Sequence, residues 1–324
     1  MKIKFTIFYL IFFNTVSSFA QWQQTNGPCA GDVRCIATDG TSIFAGTYGG
    51  GIYKSSDNGN NWIQVNDGLT NYQINCLAFS GTNIFAGTYG GVFISTNNGI
   101  SWTEVNNGLP SVIVFTIVSS SSNIFIGTSE GIFLSTNNGS SWSQVNNGLT
   151  QLIVTAMTIN GTNIFAATAN GGGVFRSTNN GGLWTSVNNG LTNIYVESFA
   201  INGSSIYAGT LGGVYVSTNN GNSWSAINSG MTNMNIEAIA INGTNIFAGT
   251  SSSGVFRSTN NGASWTSVNN GLTSTYVFDL VFNGSNLFAA TYGGGIFLST
   301  NNGSNWSKVN TGLNSAEVLA LAAN

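Results

Sequence analysis

The chain has 324 residues, of which 42% are apolar and 5% charged, with 43 glycines, two prolines and no histidine. Globular domains carry about 25% charged residues, so Asn, Ser, Thr and Gly must solvate this surface, while the 12% aromatic content separates the chain from a disordered polar one. A formal charge of −3 supplies no basic footprint for phosphates and argues against a nucleic-acid partner; three cysteines without histidine exclude His/Cys zinc sites and every imidazole mechanism.

The N-terminus reads as an export signal. Lys2 and Lys4 precede the apolar run Phe5 to Phe13, and Ser18-Phe19-Ala20 places small residues where cleavage before Gln21 is expected. The run falls short of the ~20 residues that span a bilayer, and no other segment is long and apolar enough to do so. Residues 1–20 are therefore expected to be a signal peptide, and residues 21–324 a single domain outside the cytoplasm: secreted, periplasmic or on the cell surface. Of the seven basic residues, removal of Lys2 and Lys4 leaves five against ten acidic ones. Cys29 and Cys35 are close enough in sequence to pair, whereas Cys35 and Cys76 occupy equivalent repeat positions and read as small buried residues.

The rest of the chain is periodic. Its eight tryptophans fall at Trp22, Trp62, Trp102, Trp142, Trp184, Trp224, Trp265 and Trp306, 40–42 residues apart. That period suits a four-stranded propeller blade or a helical repeat. Short runs rich in Val, Ile, Phe and Thr, broken by Asn-Gly and lacking a 3.6-residue apolar stripe, select strands. In residues 234–272, Ile236 to Ile241, Ile246 to Thr250, Val255 to Ser258 and Trp265 to Val268 read as four antiparallel strands, with Asn242-Gly243 as a hairpin turn. The expected fold is an all-β propeller of four-stranded antiparallel blades, with seven repeats over about residues 33–310. Residues 22–27 resemble a spare outer strand and residues 316–321 a spare inner one. Seven blades, or eight with the last incomplete, both remain open.

Between the third and fourth strands every unit carries Ser-x-(Asp/Asn)-x-Gly-x-x-Trp, from Ser55–Trp62 to Ser299–Trp306. This resembles the Asp-box, or BNR, repeat of the propellers of sialidases, some glucan hydrolases, sortilin-type receptors and the photosystem II stability/assembly factor family. The resemblance spans nearly the whole chain beyond the signal and implies the fold; those families share the turn and little else. Here the acid survives only as Asp57, with Asn97, Asn137, Asn179, Asn219, Asn260 and Asn301 elsewhere. Asn offers the same side-chain oxygen to a turn but no charge for calcium, so the boxes read as structural staples and no metal or cofactor is expected.

Function is expected where the repeats differ. The second-to-third loops place Tyr48, Tyr89, Glu130, Ala169-Asn170, Leu211, Ser251 and Tyr292 at equivalent points, and Tyr72, Tyr195 and Tyr276 lie in linkers at the same end. Closure into seven blades would make Tyr292, Tyr48 and Tyr89 neighbours. One first-strand position, expected to line the channel, reads Arg34, Asn75, Phe115, Thr155, Glu197, Glu237, Asp279 and Glu317. Its acidic arc is a solvated lining, a cation site, or a glycosidase pair, for which carboxyls stand about 5–9.5 Å apart. Against catalysis, Arg34, Arg176 and Arg257 form no converging cluster for a substrate carboxylate. The leading expectation is an exported non-catalytic module binding a protein or glycan. The alternatives are a glycoside hydrolase and, from the resemblance alone, an assembly factor for a membrane complex.

Overall fold

In the computed structural model, which describes residues 32–120 and 123–313, each repeat folds where its turn residues allow it to reverse. Blade 1 consists of β1 (Val33–Thr38), β2 (Ile43–Thr47), β3 (Gly51–Ser55) and β4 (Ile63–Gln64), paired antiparallel in chain order. Six further four-stranded sheets repeat this order, the last ending with the outer strand Ser307–Lys308. The inner hairpin of blade 6 pairs Asn242 with Asn245, so its loop is Gly243-Thr244 with Gly243 at φ 61. Glycine at the first of two loop residues is the type II′ arrangement, whose twist matches the strands. The aspartate of Asp39-Gly40 does the same job in blade 1, its carboxylate accepting from Thr41 and Ser42 N–H. Outer strands are only two residues long, which blunts the exposed edge of every blade.

The blades close as a ring of seven. The inner strands of blades 1 and 7 lie side by side, as do those of all successive blades. The Trp62 indole donates to the Val309 carbonyl of blade 7 at 2.8 Å, and the Trp62 N–H donates to Thr311. Blade 7 takes all four strands from consecutive residues, so among the described residues no strand is exchanged to close the ring. This overturns the eight-blade alternative: blade 7 already packs on blade 1. The spare segments 22–27 and 316–321, the signal segment, Cys29 and Glu317 lie outside the described residues.

Packing is between blades. Each apolar cluster draws residues from two adjacent sheets; at the seam, Val33, Ile43, Tyr53 and Trp62 of blade 1 meet Phe288, Ile296 and Val309 of blade 7. The ring of Phe44, like its repeats Phe85, Phe125, Phe165, Phe247 and Phe288, is fully buried. Burial of one such ring contributes roughly 1.5–3 kcal/mol.

The boxes hold the third-to-fourth turn by the same three bonds in every blade. The serine hydroxyl donates to the Asp or Asn oxygen at 2.8–3.0 Å. It accepts from the box glycine N–H at 2.8–2.9 Å. The Asp or Asn oxygen accepts a second N–H four residues on, at 2.9 Å. Charge is incidental to this geometry. Where the residue is Asp57 its second oxygen accepts from Asn61, and where it is Asn97, Asn137, Asn219 or Asn260 the amide instead donates to a serine.

Ser217→Ala strips the buried Gly221 N–H of its acceptor, and an unmet buried donor costs about 1–3 kcal/mol. Chemical denaturation should show that loss. Asn219→Asp keeps the acceptor and should move stability by less than about 0.5 kcal/mol.

Candidate binding face

Every inner strand begins with a β-bulge, located by a register shift after Val33, Ile74, Val154, Val196, Ile236 and Val277, and between Val114 and Thr116 in blade 3. A bulge leaves one residue unpaired and re-aims its side chain. The seven bulged residues are Arg34, Asn75, Phe115, Thr155, Glu197, Glu237 and Phe278, and all line a central cavity of about 270 Å³. This corrects one expectation. Blade 7 presents Phe278 at the bulged position, not Asp279, although Asp279 also lines the cavity beside Glu197 and Glu237. Asp279 sits one residue further, in register with Cys35 and Cys76, and its carboxylate accepts from the Ile36 N–H across the blade 7–1 seam at 2.8 Å. Aligning the β-branched residue before each bulge, rather than the acids, would have found Phe278 from the sequence.

The second-to-third loops and the inter-blade linkers meet at one end of the ring, as expected. Gly49 N–H donates to Tyr72, Leu211 N–H to Tyr195 and Tyr292 N–H to Tyr276. Most of the exposed large apolar residues described lie at this end: Tyr72, Tyr89, Leu152, Tyr195, Leu211, Met234 and Tyr292, with Ile63, Ile100 and Leu183 elsewhere. Repetition ceases here, where the side chains are exposed and lie outside the apolar clusters buried between blades.

Part of this set converges. The Arg34 guanidinium lies 4.6 Å from the Phe278 ring centre and 5.1 Å from that of Tyr48, within cation–π range of both. Tyr48 packs edge-on against Tyr89 at 5.7 Å. On the other side Tyr276 lies 4.6 Å from Phe278 and 6.0 Å from Tyr292. An aromatic tract with one embedded cation thus runs from blade 2 across blade 1 to blade 7. Tyr292 joins it through Phe278. Glu130, on blade 3, stands apart; its carbonyl accepts from Gln144 and Asn146. Arg34 makes a long 3.5 Å pair with Asp32, and its Nε is enclosed without a hydrogen-bond partner.

The other cations are committed elsewhere or remote. Lys54, Arg176 and Arg257 each donate to the carbonyl of the left-handed box asparagine of the next blade, Asn98, Asn220 and Asn302. No arginine cluster forms at the channel. Burial and the nearby Glu197 charge push the Glu237 carboxyl up to about 7, against the pull of the Tyr276 hydroxyl and of Arg34. Burial raises Glu197 as well, and raises Asp279 to about 6. Cys35 and Cys76 are free thiols lining the cavity, and burial pushes Cys76 up to about 12 and Cys35 well above the ordinary thiol value. Both are therefore protonated and poorly nucleophilic near neutral pH.

One structural series escaped the sequence reading. The first asparagine of each Val/Ile-Asn-x-Gly segment, from Asn66 to Asn310, accepts at 2.7 Å the N–H of a residue in the first two positions of the third strand, Ile52 in blade 1. Its recurrence in every unit was the available signal. These asparagines fix the loops that carry Tyr48, Tyr89 and Tyr292.

No protein-family model matches the sequence, and no curated protein matches it. The fold is that of known seven-bladed propellers. The extracellular domain of B. thetaiotaomicron BT4673 superposes with TM-score 0.72 at 19% identity, over 84% of this chain and 39% of that one. The GH74 enzyme of Niastella koreensis gives 0.73 at 18%, over 87% and 55%. YCF48 bound to D1 peptide gives 0.67 at 13%, over 84% and 92%. The chain thus spans well under two thirds of the first two proteins, and these likenesses concern architecture. Among the described residues no helix is long and apolar enough to cross a membrane.

Glu197, Glu237 and Asp279 all have folded pKa values raised above their unfolded ones. Below the raised values and above the unfolded ones the folded state binds more protons, so stability falls as pH rises. Thermal unfolding should shift upward between about pH 8 and about pH 5, and Glu237→Gln should flatten that dependence.

Proposed function

We propose that this chain is an exported, non-catalytic binding module whose partner lies across the blade 7–1–2 sector of its variable face. The observation that carries this is the tract Tyr89–Tyr48–Arg34–Phe278–Tyr292, in which two half-buried rings hold one cation and an exposed tyrosine stands at each end. Tyrosine and arginine are the residues that dominate binding hot spots, because they combine large apolar area with directed polar groups. Among the structural neighbours are an extracellular domain and a propeller bound to a peptide, both consistent with this use of the fold. The triple variant Tyr48→Ala/Tyr89→Ala/Tyr292→Ala should lose at least about tenfold in affinity for partners that the wild type captures in a screen of glycans and cell-surface proteins. Unchanged capture by the triple variant overturns the site.

One observation favours a second reading, glycoside hydrolysis. Glu237 at about 7 has the protonation state of a general acid, and Glu197 lines the same cavity from the adjacent blade. Turnover of polysaccharides by the wild type that is abolished in Glu197→Gln/Glu237→Gln would establish it. Equal background rates for the two proteins would remove it.

A further inference from the structure

A second cavity, of about 510 Å³, opens on the outer side of blade 7. Its walls are the linker Thr273–Tyr276 and the loop Tyr292–Gly294, and Lys308 of the outer strand closes one end. The two walls are tied by Ser274, whose hydroxyl donates to the Tyr292 carbonyl at 2.8 Å, and by the Tyr292 N–H on Tyr276. The groove is therefore preformed. Its aromatic side is the Tyr276–Tyr292 pair, rings 31° apart, with Tyr292 52% exposed. A Cβ at Gly294 would come within 2.5 Å of Ser274 and Thr291, whereas one at Gly293 would meet nothing. Backbone thus forms the base, and a substituent at Gly293 would project into open space.

Other blades do not present this arrangement. The strand position of Lys308 is held by Gln64, Glu104, Gln144, Ser186, Ala226 and Ser267. Gln64 and Gln144 fold over their own loops, donating to the Gly50 and Glu130 carbonyls, and Glu104 accepts from Asn106. The residues in blades 4 to 6 are short. Blade 7 alone places an ammonium beside an open loop, and among the described residues no carboxylate lies within ion-pair distance of it.

We propose that this groove is a carbohydrate subsite, taking a pyranose residue that bears an anionic substituent on Lys308 while the sugar face stacks on Tyr292. The proposal deepens the reading of this end as the binding face and rests on it. Hydroxyls of Thr273 and Thr275 can both donate and accept, as sugar hydroxyls require, while Ser274, whose proton is held by the Tyr292 carbonyl, can still accept. A strand-adding peptide is disfavoured, because the outer strand beside the groove is two residues long and offers almost no edge to extend.

Calorimetric titration of the full chain tests this with a trigalacturonate, its methyl ester, a sulfated oligosaccharide and a glutamate peptide of equal charge. Binding of trigalacturonate or of the sulfated sugar supports the site and identifies the anionic group. Affinity should fall at least about tenfold for the methyl ester and for Lys308→Gln, the scale of one charge-assisted contact. It should persist in Lys308→Arg and in Tyr48→Ala/Tyr89→Ala, which leaves the groove intact. Lys308→Gln should keep the wild-type thermal midpoint. Equal binding of the ester, indifference to Lys308→Gln, tighter binding of the peptide, or no binding of either anionic sugar overturns the proposal. Loss of sugar binding only in the Tyr48/Tyr89 variant overturns the groove while leaving the broader face standing.

Discussion

Each of the seven described tryptophan indoles, Trp62 to Trp306, reaches across a blade boundary and donates to a carbonyl of the preceding blade at 2.6–2.8 Å. Its own N–H makes a second bond to the same blade two residues further on. A four-stranded sheet of this size cannot bury both faces alone, so its stability depends on its neighbours. The indole supplies a buried apolar wedge and a directed bond together, which sets spacing and orientation between blades at once. Trp62 does this with blade 7, so the last junction is made by the same contact as the other six. Among the described residues no strand is exchanged between blades.

That economy separates the two ends of the ring. The box turns sit at one end and are committed, with serine, Asp or Asn, glycine and three cations all used in bonds within or between blades. Where every blade must meet its neighbour in the same way, the box serine, glycine and tryptophan recur in all seven units. The loops at the other end are anchored by one asparagine per blade and lie free of the apolar clusters between blades. The inner-strand bulge extends that freedom into the channel, since the bulged side chain is released from the ladder. Arg34, Phe115, Glu197 and Phe278 can differ there because none of them is asked to hold a sheet together.

The legibility of the sequence follows the same division. Tryptophan spacing, the boxes and the Asn-Gly turns report local or nearest-neighbour geometry, and periodicity exposes them seven times over. Residue pairs joined only by closure of the ring are visible once and carry no period. Nothing in the sequence near Arg34 announces that Phe278, over two hundred positions away, will lie on it. The register of Asp279 is hidden for a related reason: one extra residue in a bulged strand puts Phe278 at the bulge and Asp279 one position beyond it, still on the cavity. The asparagine series at Asn66 was visible but ambiguous, because in so Asn-rich a chain a structural asparagine looks like a solubilising one.

Low charge sharpens what remains. Of the cations described, three are spent on box carbonyls, which leaves Arg34 in the channel mouth and Lys308 at the rim of blade 7, with the aromatic rings of Phe278, Tyr276 and Tyr292 between them. On a surface solvated mainly by amides and hydroxyls, two cations of this kind are not diluted by a mixed field of neighbours. Arg34 is held by rings on either side and partly balanced by Asp32, so its direction is fixed but its attraction is tempered. Lys308 is exposed and, among the described residues, has no carboxylate within ion-pair distance, so its attraction is screened by salt. A ligand that used both would be oriented at the channel and selected at the rim, and the rings between would set the length and flatness of what fits.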